Sequence, residues 1–337
     1  MAATIRDVAR QAGVGLGTVS RVLNNSPLVS PVTRKRVLDA ITELRYSPSQ
    51  IARSFASGKT LTVSAIAPFF TRPSVVERLR GIESQLTASG YSLVVFNVET
   101  VARRDACLQD ISRHDRCDGV LIISLTPRED ELLALHEAGV PVVLIDTSAA
   151  GMHGVRIDDV SGGELAVRHL IDLGHRRIGF VGDSIEQARA FNFTSSRDRH
   201  SGYRQMLAAA GIALRPAYQR HGVHDRYDAR ILAHELLQLA DPPTAIFAAS
   251  DTQAMGVLEA ARDLGRRVPA DLSIIGFDDI DVAEYLGLTT VHQPLFMSGQ
   301  RGAELLLRII GGEAQESPSD VLPIELVVRG TTAPPSA

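Results

Sequence analysis

Residues 5–24 read Ile5-Arg-Asp-Val-Ala-Arg-Gln-Ala-Gly-Val-Gly-Leu-Gly-Thr-Val-Ser-Arg-Val-Leu-Asn24. Apolar residues at helical spacing predict two short helices, and Gly13 between them can adopt the left-handed conformation that ends the first helix. Ala9 is small at the position where the two helices would cross. These are the steric requirements of a helix-turn-helix, whose second helix lies in the major groove of DNA. The stretch therefore predicts an all-α DNA-binding head.

The second helix of this motif, from about Leu16 to Leu23, carries the candidate DNA contacts. Arg21 is the best candidate for reading a base, because its guanidinium fork matches the acceptor edge of guanine. Thr18 and Ser20 are candidates for phosphate contacts. A third helix is expected from about Pro31 to Leu44, with Val37, Leu38, Ile41 and Leu44 facing inward. The alternative is a structural helical hairpin in which Arg21 is only solvated.

The charge of the chain is unevenly distributed. Residues 1–60 carry nine basic and three acidic side chains, whereas the other 277 residues carry 26 basic and 36 acidic ones. The net charge of −4 thus conceals a small basic head on an acidic body. Such an asymmetry favours a nucleic-acid-binding module joined to a second module, although a solvated basic surface would also produce it.

The composition excludes several classes of protein. The chain has 337 residues, of which 45% are hydrophobic and 22% charged, which is typical of about two globular domains. No run of 18 apolar residues predicts a membrane span, and the first residues lack the features of a signal peptide. The two cysteines, Cys107 and Cys117, have neither metal nor redox spacing. We therefore expect a cytoplasmic protein without disulfides or a zinc site.

From residue 61 onward, short apolar runs alternate with amphipathic helical segments. The runs are Val63–Pro68, Ser92–Asn97, Gly119–Ser124, Val142–Asp146, Ile178–Gly182, Ala245–Ala249 and Ser273–Phe277. This alternation is typical of parallel sheets covered by helices on both faces, and the length predicts two α/β lobes. Ligands of such sheets bind beyond the carboxyl ends of the strands, where Asp146, Ser250 and Asp278 lie. Residues 330–337 are expected to be loose.

The motifs of common enzymes do not occur in the chain. The sequence contains no nucleophile elbow, no phosphate-binding loop ending in Lys-Ser or Lys-Thr, and no His-Glu-x-x-His. The histidines form no recognisable metal set. We therefore expect no catalysis, no cofactor and no metal.

The sequence resembles the lac repressor/purine repressor (LacI/GalR) family over nearly its whole length. The head matches that family from Thr4-Ile-Arg-Asp-Val-Ala to Thr18-Val-Ser-Arg-Val-Leu-Asn24. The body matches it at Leu79-Arg-Gly-Ile-Glu83, Arg199-His-Ser-Gly-Tyr203, Asp251-Thr-Gln-Ala-Met-Gly256 and Ile274-Ile-Gly-Phe-Asp-Asp279. Several motifs in the same order are more specific than any one of them.

The resemblance implies three parts: a helix-turn-helix head at 1–47, a hinge helix or linker at 48–60, and an effector-binding and dimerisation body at 61–337. The body would be α/β, with parallel doubly wound sheets, and would resemble two-lobed periplasmic sugar-binding proteins. Its lobes are expected at about 61–158 with 291–319, and at about 159–290 with 320–331. The family's occasional C-terminal tetramerising helix is not expected after Arg329.

The resemblance also implies DNA contacts beyond those derived above. It implies that Leu16 and Gly17 face bases and that Asn24 also contacts DNA. Because Gly17 offers no side-chain hydrogen bond, we expect specificity to depend on Arg21, the hinge and DNA shape. In the family, an apolar hinge residue wedges into the minor groove, and Phe55 occupies that position here. Alternatively, Phe55 packs against the dimer mate or the body.

Eight residues are expected in the effector cleft because they match cleft positions of the family. They are Phe69, Phe70, Asp146, Arg199, His224, Ser250, Asp278 and Gln293. Arginine and aspartate suit the hydroxyls of a sugar, and aromatic rings suit its apolar faces. Other interpretations remain open: local pairing or capping for the aspartates, pairing with Asp198 or another structural carboxylate for Arg199, and core packing for the phenylalanines. Asp251 is expected to cap a helix.

Together these observations predict a ligand-responsive, sequence-specific transcriptional regulator. A homodimer would bind a pseudo-palindromic operator and repress carbohydrate genes until a sugar effector releases it, although a corepressor would use the same architecture. The alternative function is a sugar-binding transport or chemoreceptor protein without regulatory DNA binding. A sugar isomerase is a third alternative.

Overall fold

The computed structural model describes residues 3–23, 26–46, 59–111, 117–313 and 319–336. Contacts divide the chain into two compact units, one of Met1–Leu61 with Asp115–Asp118, the other of Thr62–His114 with Gly119–Ala337. We call the first unit the head and the second the body. Within the described ranges, no helix is long and apolar enough to cross a membrane.

Three helices form the described part of the head: α1 (Ile5–Ala12), α2 (Leu16–Leu23) and α3 (Pro31–Glu43). Thr4 and Asp7 cap α1 reciprocally, since the Thr4 amide donates to Asp7 Oδ2 (3.0 Å) and the Asp7 amide to Thr4 Oγ1 (3.4 Å). Gly13 ends α1 with φ +63°, the conformation that favours glycine. The two short helices and the turn therefore form as their sequence predicts.

The head has its own small apolar core. Its buried members are Val8, Ala9, Ala12, Val19, Val22, Val37, Ala40 and Tyr46. One detail of the sequence prediction is wrong: Leu38, expected to point inward, is 48% exposed, and Ala40 is buried on α3 instead.

Two six-stranded sheets form the body. The first has the order β11–β5–β4–β3–β1–β2 and is parallel throughout, with β1 (Thr62–Pro68), β2 (Ser92–Val98), β3 (Gly119–Ile123), β4 (Val142–Ile145), β5 (His153–Arg156) and β11 (Ser319–Val321). The second has the order β12–β10–β9–β8–β6–β7, with β6 (Ile178–Asp183), β7 (Gln219–Gly222), β8 (Ala245–Ala248), β9 (Ser273–Asp278), β10 (Thr289–His292) and β12 (Glu325–Val327). Only β12 is antiparallel to its neighbour.

The helices of the body connect these strands and cover the sheets. They are α4 (Pro73–Ala88), α5 (Val101–Ile111), α6 (Glu129–Glu137), α7 (Asp159–Asp172), α8 (Ile185–Phe191), α9 (Ser195–Ala209), α10 (Arg226–Leu237), α11 (Asp251–Asp263), α12 (Asp281–Tyr285) and α13 (Leu295–Ile310). Separate buried clusters lie on the two faces of the second sheet, one around Phe180 and Phe277, the other around Ile246 and Val257. The body is therefore doubly wound, with one sheet in each lobe.

Pairs of helices in each lobe touch backbone to backbone at glycines. A Cβ on Gly81 of α4 would lie 2.0 Å from the carbonyl oxygen of Phe296 in α13. A Cβ on Gly202 of α9 would lie 2.1 Å from the carbonyl oxygen of Val160 in α7. These contacts hold α4 and α9, which carry side chains of the site described below, close to their partner helices.

Two expectations about the body are wrong. The C-terminal tail is held rather than loose, because Thr331 exchanges hydrogen bonds with Ile274 of β9 and His175 Nε2 donates to the Ala333 carbonyl (2.9 Å). The apolar run of β2 is not covered by helices on both faces, because Val94 and Val95 are 42% and 38% exposed. Strand β2 lies at an edge of the first sheet.

Candidate nucleic-acid interface and effector site

The outward face of α2 carries the candidate DNA contacts that the structure describes. Leu16, Gly17 and Arg21 are exposed, while Thr18 and Ser20 are half-buried. Val19 and Val22 on the opposite face are buried in the core of the head and fix the orientation of the helix. Asn24 and Phe55 lie outside the described residues.

The basic cluster at the start of α3 is less available to phosphates than its composition indicates. Arg34 Nη2 donates to the Ser26 carbonyl (2.6 Å), so this side chain fastens the loop before α3. Lys35 pairs with Asp39 (2.8 Å) in an exposed ion pair, which is weak and exchanges readily with other anions. Arg36 is exposed.

In the body, the carboxyl ends of the central strands converge on a small polar cavity. Its volume is about 40 Å³, and five of the eight sequence-predicted effector residues line it: Asp146, Arg199, His224, Asp278 and Gln293. Asp146 follows β4 of the first sheet, and Asp278 ends β9 of the second. The cavity therefore lies between the lobes, where parallel sheets place their ligands.

Arg199 is the centre of the C-terminal side of this cavity. Its Nε donates to Asp159 (2.8 Å), and its Nη1 donates to the Ala249 carbonyl (2.7 Å) and to Asp278 (3.3 Å). Its guanidinium lies 3.7 Å from the centre of the Phe277 ring. Arg199 pairs with these carboxylates, while Asp198, also considered in the sequence, pairs with Arg197.

Burial and charge shift the protonation of this cluster. Burial raises the pKa of Asp159 to about 7, although the charge of Arg199 opposes the rise. Burial likewise raises the pKa of Asp278, against the effect of Arg199 and Arg78. Burial would lower the pKa of Arg199, but Asp159 and Asp278 outweigh it and raise that pKa. Arg199 is therefore charged at any physiological pH.

A chain of buried hydrogen bonds joins the two sides of the cavity. Arg78 on α4 pairs with Asp146 and donates to Gln293 Oε1 (2.9 Å). Gln293 Nε2 in turn donates to Asp278 Oδ1 (2.6 Å). Arg78 is only 2% exposed, and its Nε has no hydrogen-bond partner among the described residues. This nitrogen is a donor that a bound ligand can satisfy.

His224 and Asp183 form a second polar pair at the cavity. His224 Nδ1 lies 2.8 Å from Asp183 Oδ1, which also accepts from Gln253 Nε2 (3.1 Å). Burial works against ionisation of Asp183, but the charges of His224, Arg72 and Arg199 outweigh it, so the pKa of Asp183 is lowered. Asp183 therefore supplies a fixed negative charge.

Several residues at the cavity have left-handed backbone conformations. Asp146 has φ +65°, Asp278 has φ +117° and Ser124 has φ +56°. Each lies at the carboxyl end of a strand. For a residue other than glycine, such a conformation costs roughly 1 to 3 kcal/mol of free energy. Backbone strain of this kind concentrates at binding sites, where it directs side chains inward.

Three sequence-predicted effector residues do not line this cavity. Ser250 caps α11 by accepting from the Gln253 amide (3.2 Å) and is wholly buried. Phe69 packs against the Phe191 ring (5.6 Å between centroids). Phe70 is 41% exposed and borders a separate groove on the first lobe. Capping thus accounts for Ser250, whereas Phe69 is half-buried against Phe191.

The cap of α11 differs from the expectation. Ser250 is the cap, whereas Asp251 is the first helical residue and is wholly buried. Asp251 accepts hydrogen bonds from Thr290 Oγ1 (2.6 Å) and from the Ile280 amide (3.0 Å). It therefore joins α11 to strand β10 and to the loop after β9.

Other residues that line the cavity were not expected from the sequence, among them Arg72, Arg78, Ser124, Asp183 and Phe193. Asp183 and Ser124 lie at the carboxyl ends of β6 and β3, so the rule that identified Asp146 and Asp278 applied to them too. Arg78 stands inside a helix, and only the tertiary packing of α4 brings it to the cavity. Phe193 supplies the aromatic surface that was expected from Phe69 and Phe70.

Comparisons with known proteins agree with this architecture. Residues 4–49 match the family described as "Bacterial regulatory proteins, lacI family", and residues 167–332 match a "Periplasmic binding protein-like domain". The chain is 34% identical to the HTH-type transcriptional repressor PurR of Vibrio vulnificus, over 98% of both chains. It is 36% identical to catabolite control protein A of Priestia megaterium, over 98% of this chain and 100% of the relative.

Solved structures of similar proteins span the same length. A lac repressor dimer bound to operator and the anti-inducer ONPF has a TM-score of 0.87 at 28% identity, over 99% of this chain and 100% of that one. The transcriptional regulator CelR in complex with cellobiose has a TM-score of 0.72 at 33% identity, over 98% and 99%. These relatives are regulators, not enzymes, and the predicted fold of a helix-turn-helix head on a two-lobed α/β body is confirmed. The chain belongs to the lacI family of bacterial regulatory proteins and is a DNA-binding transcriptional regulator with a ligand-binding body.

Proposed function

We propose that the chain represses carbohydrate genes in the cytoplasm as a homodimer on a pseudo-palindromic operator, and that a sugar bound between its lobes releases it. The observation that carries the sugar assignment is two buried arginine–aspartate pairs, Arg78 with Asp146 and Arg199 with Asp278, that line one cavity. The division into head, hinge and body at 1–47, 48–60 and 61–337 is part of the proposal.

The chemistry of the cavity suits a ligand rich in hydroxyl groups. Each hydroxyl can accept a hydrogen bond from a guanidinium and donate one to a carboxylate, so neighbouring Arg and Asp side chains bind it from both sides. Phe193 adds a ring against which an apolar sugar face can pack. Two similar regulators support this class: CelR is in complex with cellobiose, and a lacI-family regulator from Enterococcus faecium has bound ribose.

The size of the cavity bears on how the effector acts. At about 40 Å³ it is far below the roughly 300 Å³ at which small-molecule sites begin. A sugar must therefore separate the lobes and replace bonds such as Arg78–Gln293. Effector binding then changes the relation between the lobes, and by linkage operator and effector affinities influence each other.

On the DNA side, we propose Arg21 as the base-reading residue, supported by Leu16, Gly17, Thr18, Ser20 and Asn24, with Phe55 as the minor-groove wedge. The exposure of Arg21 and Leu16 on α2 supports this assignment.

The second copy of the chain would cover the groove beside β2. This groove has a volume of about 770 Å³ and includes Phe70, Val76, Leu93 and Phe296 in its lining. Beside it, Val94 and Val95 are exposed at the sheet edge, and such a patch on a soluble chain marks an interaction surface. The similar lac repressor structure is a dimer, which favours a second copy as the occupant.

The experiment that tests the proposed function is selection of bound duplexes from a random library, with and without a pool of mono- and disaccharides. We expect a two-fold symmetric site whose binding weakens with at least one sugar. Salt-sensitive binding without any preferred site would contradict the proposal and favour a sugar-binding protein with a merely basic head.

Two pairs of variants assign the roles. Arg21→Ala should lose about ten-fold to one hundred-fold of the preference for operator over random DNA, whereas Arg6→Ala, exposed on α1, should keep the preference. Arg199→Ala should lose sugar binding and keep operator binding, whereas Arg168→Ala, exposed on α7, should change neither. Normal sugar affinity in Arg199→Ala would remove Arg199 from the site.

A further inference from the structure

A second cavity lies within the C-terminal lobe, bordered by α8, α9 and β7. Its volume is about 380 Å³, which is within the range of small-molecule sites. Its lining includes Arg189, Arg197, Arg204, His200, His221 and Phe193. It is distinct from the cavity between the lobes, although Asp183 and Phe193 line both.

The charge of this second cavity is positive and largely uncompensated. The exposed side chains of Arg189 and Arg204 make no hydrogen bond or ion pair with any part of the chain that the structure describes, while Arg197 pairs with Asp198 (3.0 Å). The carboxylate in the wall, Asp183, is already bonded to His224 and Gln253. Two guanidinium groups are thus left to attract an anion.

The two histidines add neutral hydrogen-bonding groups. His200 Nε2 pairs with Gln219 Oε1 (2.7 Å), and His221 Nδ1 donates to the Asp183 carbonyl (3.2 Å). Burial lowers the pKa of both rings, so both are neutral near pH 7. Each ring donates to the protein from one nitrogen and keeps an acceptor at the other, so the rings can accept from a hydroxyl of the ligand while the arginines hold its anionic group.

We propose that this cavity binds a small phosphomonoester, whose phosphate contacts Arg189, Arg197 and Arg204 and whose body packs against Phe193. A phosphomonoester carries close to two negative charges near pH 7 and three acceptor oxygens, and the arginine fork matches phosphate geometry. Phe193 is held in place by stacking on Phe191 (5.2 Å between centroids), so the apolar wall is rigid. This site is additional to the proposed sugar site.

The test is calorimetric titration of the full chain with phenyl phosphate, and with benzoate as an anion of the same ring and a single charge. Arg189→Gln and Arg204→Gln should each weaken phenyl phosphate binding about ten-fold, because each removes a charge-assisted hydrogen bond. Both side chains are exposed, so the variants should fold normally. Arg262→Gln, exposed at the end of α11 and outside the cavity, is the matched control and should bind like the wild type.

The outcomes separate this site from the sugar site. Sugar affinity should be unchanged in Arg204→Gln, so failure of one assignment leaves the other standing. Absence of phenyl phosphate binding at millimolar concentration, equal affinities in the two arginine variants and the wild type, or benzoate binding as tightly as phenyl phosphate would each overturn the proposal. Loss of binding in Arg199→Ala with retention in Arg204→Gln would also overturn it, because the probe would then occupy the cavity between the lobes.

Discussion

The contact between α7 and α9 determines where Arg199 stands, and Gly202→Ala tests it. A Cβ at Gly202 would lie 2.1 Å from the Val160 carbonyl oxygen and 2.7 Å from the Glu164 amide, both backbone atoms that cannot rotate away. An ordinary contact begins at 3.4 Å, so α9 must move away from α7 by roughly 1.3 Å. The substitution is therefore expected to separate the two helices.

This displacement acts directly on the Arg199–Asp159 pair, because Arg199 belongs to α9 and Asp159 to α7. Their distance of 2.8 Å would grow to about 4 Å, beyond the range of a hydrogen bond. Overpacking costs about 1 to 3 kcal/mol, while replacing a helical glycine by alanine returns about 1 kcal/mol. We expect the body to lose up to about 2 kcal/mol of stability and sugar affinity to fall at least ten-fold.

The assays are urea unfolding followed by circular dichroism, and titration with the sugar that the operator selection identifies. Gly211→Ala is not a suitable control, because Gly211 has φ +66° and strain would confuse the result. Gly17→Ala is the control for helix propensity alone, because a Cβ there meets no heavy atom within 4 Å outside its own helix; it should not lower stability and should keep normal sugar affinity. A Gly202→Ala protein with more stability than the wild type and normal sugar affinity would refute the helix contact and its role in placing Arg199.

Three further predictions concern other parts of the chain. Asp159→Asn removes a carboxyl whose pKa is raised to about 7 in the folded state. Wild-type stability should therefore fall as the pH rises from about 4 to about 7, by at most about 1.4 kcal/mol per pH unit. The variant should lose this part of the pH dependence in urea titrations, and equal dependence in both proteins would contradict the raised pKa. Val95→Asp should weaken self-association at least ten-fold in sedimentation velocity. Ile231, which is also apolar and is 59% exposed on α10, provides the control, and Ile231→Asp should leave self-association unchanged. A dimer that tolerates both substitutions would exclude the β2 face as the interface. Gly17→Ala should stabilise the head by up to about 1 kcal/mol in thermal unfolding of its helices, and a loss of stability would show that α2 needs the glycine.

Local sequence signals were sufficient for the head. The turn at Gly13 was expected, and the capping pair Thr4–Asp7 and the buried Val19 and Val22 likewise act within a few residues of each other. Leu38 is the exception: it stands on α3 at helical spacing but faces solvent, because the smaller Ala40 meets the other two helices. Periodicity alone does not show which of two neighbouring apolar residues faces a core.

Parts of the body escaped prediction because their signals are not local. Neither β7 nor β10 was expected as a strand, since Gln219–Gly222 is polar and Thr289–His292 is short and threonine-rich. Helix α13 was not expected as an element either, although the family resemblance assigned residues 291–319 to the first lobe, where α13 packs on α4. Periodicity within the segment does not show that the chain crosses there from the second sheet.

Two routes bring side chains to the cavity: Asp146 and Asp278 were expected there because each ends a strand, whereas Arg199 reaches it from helix α9 and was expected only from the family resemblance. Asp146 and Asp278 follow the general rule for open parallel sheets, and so do the missed Ser124 and Asp183. Arg78 gives no such signal: its neighbours Arg80 and Glu77 form an exposed ion pair on the same helix, whereas Arg78 itself is 2% exposed. The backbone contact between α4 and α13 is the reason that Arg78 is buried while Arg80 is exposed.

The distribution of donors in the cavity also predicts how the effector is discriminated. Arg78 Nε lacks a partner among the described residues, and a sugar that opens the lobes will replace the bond from Arg78 to Gln293. A ligand without a hydroxyl at that point leaves a buried charged donor unsatisfied, which costs about 1 to 3 kcal/mol or more. An added methyl group on an apolar face changes affinity by only about 1 kcal/mol. Deoxy analogues of the effector should therefore bind about ten-fold to one hundred-fold more weakly, and methylated analogues much less so. Equal losses for both series in a calorimetric comparison would mean that shape, not the arginine network, selects the ligand.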